Sequence, residues 1–307
     1  MRQQRLLKAC SSTLIVLTVS LLTTACFGQP ADSLSLTLRW QQKTKGDSEQ
    51  FEPAQREETW QSGETAVIVC DMWDAHHCYR AVLREQQMVP RMEALLSNLR
   101  DRGVTIIHAP SSCLDAYQDH PARRRVLSVP SVPSPPDINS WCKSIAAEQL
   151  AKYPIDQSDG GEDDTPQEHA AWEQQLIARG LDPQAPWTKQ HPGLTIDANR
   201  DYISDRGDEI WNILEHEKTD NVILVGVHTN MCVLGRPFGL RQLAKNDVNV
   251  VLMRDLTDSM YNPAMWPYVS HSEGTALIIA HIERLVCPTI TSDQVLGGQP
   301  FRIAEID

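Results

Sequence analysis

Two residues stand out for chemistry before any element is assigned. Cys232 closes the stretch Val222-Ile-Leu-Val-Gly-Val-His-Thr-Asn-Met-Cys, where a β-branched apolar run breaks and delivers a thiol to what reads as a helix start. A cysteine placed there faces unpaired backbone N–H groups and the positive end of a helix dipole, both of which favour thiolate over thiol. Asp71 ends a second run, Thr65-Ala-Val-Ile-Val-Cys-Asp-Met-Trp-Asp, with Asp74, His76 and His77 just beyond. A carboxylate beside a thiol supplies a base and a nucleophile for acyl chemistry. The alternative for Cys232 is a buried structural cysteine.

The elements needed to position these groups are legible. Both runs are continuously apolar, the pattern of parallel strands covered on both faces. In open α/β sheets ligands bind outside the carboxyl ends of the strands, so strand ends carrying Asp71 and Cys232 would meet there. Residues 33–40 alternate with period two and predict an additional N-terminal strand, followed by a polar link over 41–62. Met92, Leu95, Leu96 and Leu99 follow helical spacing closed by Gly103, and residues 104–108 form the next strand. Residues 111–164 are rich in Pro, Ser and Asp and read as an active-site insertion. Helices follow over 170–179, 207–215 and 273–286, with a strand at 248–253 and a helix after Cys232 interrupted at Gly235 and Pro237. This alternation predicts a three-layer αβα fold of the α/β class with a mainly parallel central sheet, plus the extra strand and the insertion.

On these motifs the chain resembles the isochorismatase-like cysteine hydrolases, which include nicotinamidases and N-carbamoylsarcosine amidases. The resemblance rests on strand-Asp in Val67-Ile-Val-Cys-Asp-Met and on Gly-Val-x-Thr-x-x-Cys-Val over residues 226–233, and spans roughly residues 62–290. It implies an Asp-Lys-Cys triad with the lysine between the other two. Lys189, in Trp187-Thr-Lys-Gln-His-Pro, lies at the matching place, and Lys143 and Lys152 share the interval. It further implies a cis peptide between Val227 and His228, an oxyanion hole from the backbone N–H groups of His228 and Cys232, and a homo-oligomer. Three parts are expected: a leader at 1–26, an extension with one strand at 27–62, and a hydrolase domain at 63–307 with its insertion at about 111–185.

Around the triad, Trp73, His76, His77 and Thr229 are candidate pocket residues for a small-molecule substrate. Asp74-Ala-His76 matches superficially the Asp-x-His element through which nicotinamidases hold a divalent metal, but it follows Asp71 too closely. No cofactor is required by this reading; a divalent metal at His76 stays open. The acidic stretch 156–164 lacks the spacing of a calcium loop. Arg236 and Arg241 are candidates for holding a substrate carboxylate.

Composition narrows the partners and the compartment. With 28 basic and 40 acidic residues the net charge is −12, which disfavours nucleic acid as a partner. Arg2, Arg5 and Lys8 precede an apolar stretch over 13–22 and then Thr23-Thr-Ala-Cys26. That pattern predicts export to a bacterial cell envelope or periplasm, with Cys26 as a lipidation site that would anchor the chain to the membrane; ordinary signal cleavage is the alternative. In that compartment disulfides persist. With Cys232 unpaired and Cys70 inside a strand, two bridges among Cys78, Cys113, Cys142 and Cys287 are expected, in any of three connectivities.

The function these residues predict is an exported cysteine hydrolase cleaving an amide or carbamoyl C–N bond through a thioester. A catalytically inactive binding protein on the same fold and a vinyl-ether hydrolase are the alternatives.

Overall fold

The computed structural model describes residues 33–45, 50–149 and 151–306; the leader and Cys26 lie outside them. Eight strands form one sheet: β1 (Ser33–Lys43), β2 (Phe51–Gln61), β3 (Thr65–Cys70), β4 (Thr105–Ala109), β5 (Tyr202–Ile203), β6 (Asn221–Val227), β7 (Asn249–Asp258) and β8 (Thr289–Ile290), in the order β2-β1-β8-β7-β6-β3-β4-β5. From β8 to β5 all pairings are parallel, while β1 runs antiparallel to both β2 and β8. The central strands β3 and β6 are buried at every position, as their unbroken apolar runs require.

Among the described residues eight α-helices accompany the sheet: α1 (Tyr79–Asp101), α2 (Pro121–Ser128), α3 (Pro166–Ala178), α4 (Gly207–His216), α5 (Cys232–Gly235), α6 (Leu240–Lys245), α7 (His271–Leu285) and α8 (Asp293–Leu296). They cover the sheet on two sides. Alternate residues of β3 divide between two apolar cores, Ile68 with α4, α6 and α7 on one face, Val67 and Val69 with α1 on the other. The αβα layering predicted from the sequence is therefore present.

One expectation changes. The polar stretch read as a link contains β2, which pairs with β1 along its whole length, from Ser33 opposite Gln61 to Lys43 opposite Phe51. Its pattern hides because β2 is an edge strand with Trp60 as its only fully buried residue, and its polar face and Pro53 suit a strand with nothing beyond it.

Strand order fixes the location of the site. From β3 the chain proceeds outward through β4 and β5, and from β6 it proceeds the other way through β7 and β8. The order reverses between β3 and β6, which are adjacent, and the crevice at such a switch point is where ligands bind. Gly226 allows the close approach: its φ is +107°, and a Cβ there would lie 2.0 Å from the Cys70 carbonyl oxygen.

Candidate active site at the β3–β6 switch point

Asp71 follows β3 directly, fully buried, with a left-handed φ of 48°. Its Oδ1 accepts from the Ser111 N–H at 2.8 Å and its Oδ2 from Arg236 Nε at 3.1 Å. Burial raises the Asp71 pKa above the ordinary carboxylate value, against the opposing pull of Arg236, Cys232 and Ser111. Cys232 begins α5 one loop beyond β6, 8% exposed, and interacts with both Asp71 and Arg236. The peptide between Val227 and His228 is cis. Among the described residues, neither the His228 nor the Cys232 N–H donates to a backbone carbonyl of the surrounding turns and loops.

The thiol differs from its expected state. A helix start was expected to depress its pKa, yet burial and the Asp71 charge raise it well above the ordinary thiol value, with Arg236 offsetting only part. The reason is geometric: α5 has four residues and little dipole to offer, whereas a buried carboxylate stands beside the sulfur. The surroundings of Cys232 thus favour the thiol over the thiolate.

The cation at this centre is Arg236, not Lys189. Lys189 is exposed and takes no part in the interactions around Asp71 or Cys232. Its segment lies alongside the residues after β3: Asp74 N–H donates to the Lys189 carbonyl at 2.9 Å, and His191 N–H to that of Met72 at 2.8 Å. Neighbours in such an extended bridge face opposite ways. Gln190 turns inward to His108 and Lys189 outward. Arg236 lies one turn beyond Cys232, with its guanidinium 5.4 Å from the centre of the Trp141 ring. From the sequence Arg236 is a candidate for holding a substrate carboxylate; in the structure the carboxylate it holds is that of Asp71.

Other expected roles sort as follows. Trp73 stacks on Trp187 at 4.9 Å, and His76 lies 6.0 Å from Trp187, 4.0 Å from His77 and 4.8 Å from His228. These rings pack together as one cluster, and His228 places it in the loop that carries Cys232. Burial lowers the pKa of His76 and His77 and pulls that of His228 down to about 3, which favours the neutral form of each ring. Thr229 is not a pocket residue: it is fully buried, with its hydroxyl 2.7 Å from that of Thr257 and its N–H on the Asp258 carbonyl. Arg241 serves the frame, paired with Glu148 at 2.7 and 2.8 Å.

The insertion does reach the site. Ser111 holds Asp71, Trp141 covers Arg236, Cys142 N–H donates to the Gly235 carbonyl, and Tyr153 and Gln157 contact Asn230 in the loop before Cys232. The expected disulfides are absent: Cys78, Cys113, Cys142 and Cys287 are all free, as are Cys70 and Cys232. Cys78 faces Asp163 and Asp164, and Cys142 faces the Ser144 carbonyl.

Asp74 and His76 do not share a metal site. The Asp74 carboxylate is taken by the Thr188 hydroxyl and the N–H groups of Thr188 and Lys189, and His76 Nδ1 accepts from the Cys78 N–H. Among the described residues, the groups with metal-ligating spacing are Cys78, Asp163 and Asp164, and Glu162, Asp164 and His169; neither includes His76.

No protein-family model and no curated protein matches the chain. Solved structures similar to it are cysteine hydrolase and isochorismatase-family proteins. A cysteine hydrolase from Pseudomonas syringae pv. phaseolicola 1448A is 16% identical with a TM-score of 0.44, covering 76% of this chain and 92% of its own. An isochorismatase family protein from Burkholderia thailandensis is 15% identical with a TM-score of 0.41, covering 76% and 94%. An isochorismatase from Pseudomonas putida KT2440 is 12% identical with a TM-score of 0.43, covering 76% and 91%.

Proposed function

We propose that this protein is a cysteine hydrolase that cleaves the C–N bond of a small amide or carbamoyl compound through a thioester on Cys232. The observation that carries the reading is the convergence of Cys232, Asp71 and Arg236 at the ends of two adjacent central strands. Asp71 takes the proton of Cys232, and the raised pKa of the carboxyl suits it to hold that proton. The sulfur attacks the carbonyl carbon, a C–S bond forms, and the π electrons move to oxygen. The N–H groups of His228 and Cys232 receive the oxyanion; one such donor is worth about 3 kcal/mol of barrier. Collapse breaks the C–N bond, and the proton on Asp71 passes to the leaving amine. Water then adds to the thioester, releases the acid and restores the thiol. Throughout, the Arg236 guanidinium balances one negative charge, whether on Asp71 or on sulfur.

The uncharged rings of Trp73, Trp187, His76 and His228 support a planar, neutral substrate. The leader at residues 1–26 supports placing the enzyme in the cell envelope, anchored through Cys26; mass spectrometry of the mature N-terminus, showing either a lipidated Cys26 or an unmodified cleaved end, decides that point. The catalytic reading is tested by following iodoacetamide labelling of Cys232 against pH. Labelling that slows in Arg236→Gln but not in Lys189→Ala, and whose pH dependence changes in Asp71→Asn because the carboxylate no longer titrates beside the thiol, supports this triad. Equal labelling in all four proteins removes it and leaves a binding protein on the same fold.

A further inference from the structure

A second cavity, of about 520 Å³, lies among the N-terminal ends of α1 and α7, the end of β7 and the C-terminal segment 301–306, and its lining includes none of Asp71, Cys232 or Arg236. Its volume falls within the range of small-molecule sites. The charges on its wall are unevenly matched. Arg84 is paired with Asp163 at 2.8 Å and Asp258 at 2.7 Å, and Asp258 also accepts from His271. Asp255 accepts from the Ser292 N–H and hydroxyl and from the Phe301 N–H, and Glu305 accepts from the Ser272 hydroxyl. Every carboxylate of the wall thus has its donors inside the protein. Two guanidiniums, Arg254 and Arg302, are in direct contact with no carboxylate among the described residues. Arg254, half-buried, makes its one side-chain hydrogen bond among the described residues to the Thr289 hydroxyl at 3.1 Å; burial and the nearby Arg39 charge lower its pKa, and the carboxylates of Glu283, Asp255 and Asp293, none of them in direct contact with it, offset part of that. Arg302, exposed, is in no ion pair or hydrogen bond among the described residues. Beside them stand the apolar surfaces of Pro263, Phe301 and Ile303.

What this cavity lacks is a negative charge with an apolar body attached. We infer that it is a binding site for a small organic anion, a carboxylate or phosphate ester, held through a forked contact from Arg254 with Arg302 assisting. A guanidinium is the side chain best matched to the two oxygens of such a group. A half-buried guanidinium that has carboxylates nearby but none in contact gains more from a directly bound anion than a solvated one.

The test is calorimetric titration of the full chain with benzoate and phenyl phosphate, with benzamide as the uncharged control of the same shape. Saturable binding of either anion to wild type and to Cys232→Ser, weakened about tenfold or more in Arg254→Gln and less in Arg302→Gln, supports the site. Arg254→Lys, which keeps the charge and loses the fork, carries the comparison if Arg254→Gln does not fold. Benzamide binding as tightly as benzoate, binding that survives all three arginine variants, binding lost in Cys232→Ser, or no saturable binding of either anion in the millimolar range overturns it. Because Cys232→Ser removes the nucleophile and leaves this cavity intact, failure here is distinguishable from failure of the hydrolase reading.

Discussion

At the scale of single residues, the proposed chemistry depends on how one negative charge is shared in a dry place. Asp71 and Cys232 both have pKa values raised chiefly by burial, and Arg236 opposes that rise in each. Replacing Arg236 by Gln should lower kcat/KM for any substrate found by about a hundredfold to a thousandfold, since a buried charge loses its partner. Lys189→Ala should stay within about twofold, the size of effect expected for a solvated side chain; a loss for Lys189→Ala as large as that for Arg236→Gln would restore the lysine to the centre. The pH profile follows with its sign. Asp71 must be ionised to accept the thiol proton, so activity should fall as pH drops through a pKa above the usual carboxylate value. Removing Arg236 removes a lowering influence, so in Arg236→Gln that acid limb should move to higher pH. A limb that stays in place, measured on kcat/KM, would argue against Asp71 as the titrating base.

At the scale of elements, the insertion is held to the sheet layer by a buried carboxylate. Glu148, on a short turn over Ala146–Glu148, pairs with Arg241 of α6 and hydrogen-bonds His281 of α7 at 2.8 Å. These partners outweigh burial and hold its pKa down at about 2. A depressed carboxylate contributes stability that is present above its unfolded value, near 4.5, and is lost as pH falls toward 2. Lowering pH through that window should therefore loosen the insertion first. Glu148→Gln should do the same at neutral pH, costing about 3 kcal/mol by leaving Arg241 buried without its charge partner. The measurement is tryptic cleavage after Lys152, which should accelerate in the variant; an unchanged cleavage rate would mean the anchor is not needed.

At the scale of the whole molecule, the β1–β2 hairpin extends the sheet on the side away from the site. Leu34, Leu36 and Leu38 of β1 are buried in the same core as α1 and β7, with Trp60 of β2 beside them. Leu36→Ala should cost about 2 to 5 kcal/mol in urea unfolding, the range for emptying such a position. The labelling rate of Cys232 in the folded state should not change, because the hairpin contacts neither β3 nor β6 directly in the sheet order. A changed rate would show that the added strands tune the site as well as stabilise the fold.

What the sequence by itself determined was the local part. Unbroken apolar runs marked β3 and β6, their ends marked Asp71 and Cys232, and the Pro- and Asp-rich interval marked the insertion that supplies Ser111 and Trp141. Each of these follows from periodicity or from a residue's place at the end of an element, which neighbouring residues fix. Only the tertiary structure decided which cation meets Asp71, since Lys189 and Arg236 were both near the right place and the facing of one extended bridge turned the lysine out. It also decided the state of the thiol, because desolvation and a carboxylate from another strand outweigh a one-turn helix. The free cysteines, the hidden strand β2 and the Arg254 without a direct ion pair belong to the same group. They depend on which groups distant in the chain are brought together and what water they lose, and no spacing along the chain encodes that.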